Sequence, residues 1–176
     1  MSYQAYAQRR AALDTVLTHI ERDGQVLSET ELSAAAGDAS EVLATAQQRW
    51  HSHLGARIDA ALETGAPTPE RAVSDAYRET ARSLPTLRRL LDSHADHPVV
   101  QAAQRQELAL LAQAAQLTSA GGPQAAGLGR ELRDRIAATE LAAGRHAPRS
   151  KGRANSADQA GRRAGWLCRL RQRSAA

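Results

Sequence analysis

Apolar residues recur at intervals of three and four along the first 144 positions of this chain, and no run alternates at intervals of two. The first spacing lines one face of an α-helix, whereas the second would mark a half-buried strand. Leu13, Val16, Leu17 and Ile20 make one such face, with Tyr6 one to two turns earlier. Leu43, Ala46, Trp50, Leu54, Ile58 and Ala61 make the most regular one, opposite positions bearing Glu41, Gln48, Arg49, Asp59 and Glu63. The pattern predicts an all-α fold, a compact bundle of five to seven helices over residues 1–144. What can fill it is limited: alanine supplies 38 residues, Phe is absent, and Trp and Tyr total five. Alanine favours helix but covers little area, so the core rests on Leu, Ile, Val and Trp50. Pairing with a second copy of the chain, as a homodimer, would add to a modest stability.

Glycine, proline and capping residues divide the pattern into elements. Gly24 stands where a helix over residues 4–22 needs a C-terminal cap. Ser28-Glu29-Thr30-Glu31 has the form of a capping box and opens a short helix over 29–36 that Gly37 closes. Ser40 reads as the cap of a long helix ending near Glu63. After Gly65-Ala66-Pro67, the run Thr68-Pro69-Glu70 combines an N-cap, a proline at the first helical position and an acid in the first turn. Pro85 should kink or restart this helix, with Leu84, Leu87, Leu90 and Leu91 carrying the apolar face onward. Residues 92–97 read as a polar turn in which Asp96 or His97 caps the helix opened by Pro98. Residues 118–129 hold four glycines and a proline and read as a loop, ahead of a last helix over 130–143 that buries Leu132 and Ile136 and ends at Gly144.

Composition changes after Gly144. Residues 145–176 carry eight Arg, one Lys and a single acid, Asp158, a net of +8, while residues 1–144 carry 14 Arg and 18 acids, a net of −4. So little apolar area cannot offset the entropy of ordering, so this tail is expected to be mostly disordered when free. A short amphipathic helix is expected near 160–173, where Trp166, Leu167 and Leu170 sit among arginines. Such a segment points to a polyanionic partner. Arg149, Lys151, Arg153, Arg162, Arg163, Arg169, Arg171 and Arg173 would meet nucleic-acid phosphates with little sequence preference, and Trp166 would stack on an exposed base. The same residues fit an acidic protein surface or an anionic membrane, with Trp166 at the interface. Residues 148–153 resemble the core of an AT-hook, with Lys151 in place of the first Arg and no proline after Arg153; over those six residues the likeness implies an extended contact in a narrow minor groove. Residues 28–64 hold six acids and two arginines, which is the whole excess negative charge of the body, so they are also where the tail would dock on its own chain. Arg outnumbers Lys by 22 to one, the usage expected of a GC-rich, bacterial genome, and such a genome would also produce Arg-rich ends without a selected role.

Signals for chemistry are sparse. Residues 28–64 have the helix, turn, helix order of a divergent helix-turn-helix regulator, but Asp38 and Glu41 occupy the start of the second helix, where phosphate contact needs cations. His51 and His53 are two apart and fall on different helix faces, while His94, Asp96 and His97 share one turn and could converge on a metal with His51 or His53 brought in by the fold, though without a diagnostic spacing. Cys168 is the single cysteine, which excludes an internal disulfide and suits a reducing cytoplasm, as does the absence of an apolar leader. Its arginine neighbours favour the thiolate, but no histidine is placed beside it as a base. No phosphate-binding glycine loop, cofactor motif or nucleophile–base spacing is present, so the expectation is a non-enzymatic accessory or regulatory protein without a cofactor.

Overall fold

The computed structural model describes the backbone of residues 3–146 and the side chains of residues 4–139. Residues 1–139 form one compact unit; residues 140–176 form a second, of which only the end of the last helix is described. The described chain is all-α, with seven helices: α1 (Tyr3–Asp23), α2 (Glu29–Ala36), α3 (Ala39–Glu63), α4 (Pro69–Ser83), α5 (Pro85–Ser93), α6 (Pro98–Ala114) and α7 (Pro123–His146). The tail's expected disorder and its helix near 160–173 lie outside the described residues.

Local chemistry accounts for the breaks. Gly24 closes α1 through its amide, which donates to Ile20 O at 2.9 Å. Ser28 and Glu31 form the reciprocal capping box of α2, with Ser28 N donating to Glu31 Oε2 at 2.7 Å. Gly37 then takes φ +93°, a conformation only glycine adopts without strain, and turns the chain within two residues into α3. The cap of α3 is Asp38 rather than Ser40: its carboxylate accepts from Ser40 N at 2.8 Å, so Ser40 lies inside the first turn. Thr68 caps α4 ahead of Pro69 as expected. Pro85 restarts rather than kinks the chain, because Leu84 leaves helical geometry and serves as both the end of α4 and the start of α5.

The largest departure from the sequence reading concerns α7. It begins at Pro123, so Gly127 and Gly129 lie within a helix, and it passes Gly144 to make Arg145 and His146 helical. Glycine costs a helix about 1 kcal/mol relative to alanine, which is a penalty rather than a stop. At Gly129 the reason for accepting it is visible. A Cβ there would sit 1.8 Å from Leu108 O and 2.5 Å from Leu108 C, both backbone atoms of α6. At Gly127 a Cβ would meet nothing within 4 Å. Gly129→Ala is therefore expected to destabilise the body by about 1–3 kcal/mol, as overpacking does, while Gly127→Ala stabilises it by up to about 1 kcal/mol. Urea denaturation of the two variants checks this pair, and equal effects would contradict the close α6–α7 approach.

Helix α3 is the axis of the body and packs against α1, α2, α4, α5 and α6. Its stripe of Leu43, Ala46, Trp50, Leu54 and Ile58 is buried, joined by Val42 and Gln47. Leu13, Val16 and Ile20 of α1, Val73 and Tyr77 of α4, Leu87, Leu90 and Leu91 of α5, Val100, Leu108 and Leu111 of α6, and Leu132 and Ile136 of α7 complete one continuous core. Fully burying a Leu or Ile contributes about 1.5–3 kcal/mol, so these residues rather than the many alanines hold the helices together.

Candidate functional site

Every residue expected to meet a polyanion, Arg149, Lys151, Arg153, Arg162, Arg163, Trp166, Arg169, Arg171 and Arg173, lies outside the described residues. What is described is the electrostatic character of the body. Its arginines are closely balanced by acids: Arg49 pairs with Asp14 at 2.7 Å, Arg57 with Glu79 at 3.2 Å, Arg135 with Glu70 at 3.0 Å, and both Arg71 and Arg78 with Asp75 at 2.8 and 2.9 Å. The arginines at Asp75 hold its carboxyl below the ordinary aspartate value, chiefly through the hydrogen bond from Arg71. The six acids of residues 28–64 are all exposed. Both arginines of that segment are bound to other helices, to Asp14 of α1 and Glu79 of α4. Glu41 and Asp59, five turns apart on one face of α3, form no ion pair with a described residue.

Charge also enters the core, where the sequence reading placed none. Glu107 of α6 is 2% exposed, and its carboxylate lies 3.9 Å from Arg88 Nη1 of α5. Arg88 grips Asp92 with both Nε, at 3.0 Å, and Nη2. The guanidinium carbon of Arg88 lies 5.2 Å from the ring centroid of Trp50 and 5.9 Å from that of Tyr77. Those two rings meet edge to face, with centroids 5.8 Å apart. A cation over aromatic faces is stabilised by their quadrupoles, increasingly so as water is excluded. Burial raises the pKa of Glu107, opposed by Arg88, Arg133 and the nearby indole N–H of Trp50. Glu107 Oε1 and Trp50 Nε1 nonetheless have no hydrogen-bond partner of good geometry. Burial likewise pushes the Tyr77 phenol up to about 12. Burial works against the charge of Arg88, but Tyr77, Asp92 and Glu107 outweigh it, so the guanidinium stays cationic. The signal for this node was present in the sequence: Val100, Ala103, Glu107 and Leu111 keep one helical spacing, which puts Glu107 inside an apolar stripe.

The histidine turn resolves into local roles. His97 caps α6, its Nδ1 accepting from Val99 N at 3.3 Å, while its Nε2 lies 3.9 Å from Glu29 Oε1. His94 Nδ1 lies 3.0 Å from Leu90 O. Among the described residues, no group of three or more His, Cys, Asp or Glu is arranged to hold a metal ion. No described helix is long and apolar enough to cross a membrane. An open groove of about 390 Å³ runs between α4 and α7 and is lined by Arg71, Arg78 and Arg135 together with Thr68 and Ser74. Compared with protein-family models, curated proteins and solved structures, the chain matches none.

Proposed function

We propose that the protein acts without catalysis as an accessory or regulatory protein, with the cations of residues 145–176 contacting nucleic-acid phosphates with little sequence preference. The observation that carries this reading is the segregation of charge: nine cations against one acid in residues 145–176, beside a body most of whose arginines are paired with its own acids. With a net of −4 over residues 1–144, the body offers little positive charge to a polyanion, so the tail is the part suited to that contact. The helix-turn-helix alternative over residues 28–64 gains little, because α3 opens with the exposed acids Asp38 and Glu41 and its arginines face other helices. A second reading is a helical adapter whose tail binds an acidic protein face or an anionic membrane. The four-residue spacing of Trp166 and Leu170 supports it, since a helix there would join both on one face flanked by arginines.

The test compares the full chain with a chain ending at Gly144. The core cluster runs from Leu13 to Ile136, so the shorter chain keeps all of it. With six cations engaged, counterion release gives a log–log salt slope of about −5 for random-sequence duplex DNA, and the shorter chain loses binding. Undiminished binding by the shorter chain would overturn the proposal. Absence of binding by both chains, with co-sedimentation of the full chain on anionic vesicles, would favour the adapter.

A further inference from the structure

The geometry points to a binding site for a small phosphate monoester in the groove between α4 and α7. It is independent of residues 145–176. Three arginines, Arg71, Arg78 and Arg135, line one concavity of about 390 Å³, with Glu70 also on its wall. Two of them are held by a single carboxylate: Asp75 receives Arg71 Nε at 2.8 Å on one oxygen and Arg78 Nη1 at 2.9 Å on the other. Arg135 is held by Glu70, through Nη2 at 3.0 Å. Each acid therefore engages one edge of a planar five-donor fork and leaves the other donors unused. An arginine braced in this way has less side-chain entropy to lose when its remaining edge receives an oxyanion.

A hydroxyl also lines the same groove. Ser74 is 9% exposed and lines the groove, yet its hydroxyl hydrogen-bonds to no described residue. Another hydroxyl of α4, on the buried Thr80, donates back to Ala76 O at 2.8 Å. The Ser74 hydroxyl instead keeps contact with the solvent of the groove, so its donor is open to a ligand there. Thr68 at the rim accepts from Arg71 N at 3.2 Å and keeps its own proton to donate. Three cationic forks and two hydroxyl donors match a tetrahedral oxyanion, whose several acceptor oxygens spread in more directions than one carboxylate reaches.

The bracing acids also select for size. Asp75 and Glu70, the latter on the wall of the groove itself, cancel two of the three local positive charges, so an extended polyanion gains little along this surface. A compact anion seated against the unused edges of the forks gains instead through directed hydrogen bonds from three arginines rather than through a large net charge.

The experiment titrates the full-length protein with inorganic phosphate at constant ionic strength, chloride making up the balance, and follows backbone amide shifts by NMR. Saturable shifts are expected at Thr68, Arg71 and Ser74. The double substitution Arg71→Ala with Arg135→Ala removes two exposed side chains and should weaken this binding by about tenfold or more, the loss of at least one charge-assisted hydrogen bond. Arg105→Ala, an exposed arginine of α6 away from the groove, should leave it unchanged. The amide spectrum of each variant reports its folding directly. Non-saturating shifts in the wild type, or equal saturable binding by the double variant, would overturn the site.

Discussion

Trp50→Ala is expected to lower the stability of the body by about 3–5 kcal/mol, the usual cost of deleting a fully buried aromatic side chain. A domain of this size has a total of about 5–15 kcal/mol, so the loss is a large fraction of the whole. Trp50 is fully buried on the axial helix, where its stripe meets α4, α5 and α6. Its loss removes three things together: core volume, the edge-to-face partner of Tyr77, and the face beneath Arg88. Trp50→Phe keeps most of the volume and the aromatic face and drops an indole N–H that lacks a well-aligned acceptor, so its cost should be about 1 kcal/mol. Urea denaturation followed by circular dichroism separates the two. Losses of similar size would mean that the indole N–H, rather than the ring, secures the node.

Much of this architecture was legible because helical spacing and capping act over a few residues. The stripe from Leu43 to Ile58, the capping box at Ser28 and Glu31, and Thr68 before Pro69 are local features, and each stands in the structure where the spacing placed it. The start of α7 was not legible. Gly127 and Gly129 look alike in sequence, yet only Gly129 lies against the backbone of Leu108, a contact with α6 twenty-one positions away. The cap of α3 was missed for a smaller reason: Asp38 and Ser40 are both good capping residues, and the turn at Gly37 decides between them. The Arg88–Glu107 node was hidden because charged residues default to the surface. Only the assembled helices show that Asp92, Trp50 and Tyr77 surround the cation. The nine tail residues lie outside the described residues, so for them the charge pattern stands by itself.

Arg88→Met should remove about 3–5 kcal/mol at alkaline pH and less in acid, because it strips the counter-ion from Glu107 while keeping a long apolar stem. Taking away one member of a buried pair leaves the other charge uncompensated, and a carboxyl in that position avoids the penalty by binding a proton. The pH dependence has a definite sign. Burial already raises the Glu107 pKa above the ordinary glutamate value of 4.5, and Arg88 is the largest influence pulling it down. Between 4.5 and its folded value, the folded protein holds a proton that the unfolded chain has released. Stability from this group is therefore complete below 4.5 and lost as pH rises through the folded pKa, the reverse of the contribution of Asp75, whose lowered pKa stabilises the fold as pH rises. Losing Arg88 raises the Glu107 pKa further, which widens the window and deepens the loss. Glu107→Gln added to Arg88→Met abolishes the titration and should recover most of the lost stability, since the amide keeps an acceptor near the Trp50 indole without a charge to desolvate. Denaturation midpoints of the single and double variants at about pH 5 and about pH 8 decide the matter through the linkage of protonation to unfolding. A cost for Arg88→Met that is the same at both pH values, and is not reduced by Glu107→Gln, would show that Arg88 acts through its packing on Trp50 and Tyr77 rather than through its charge.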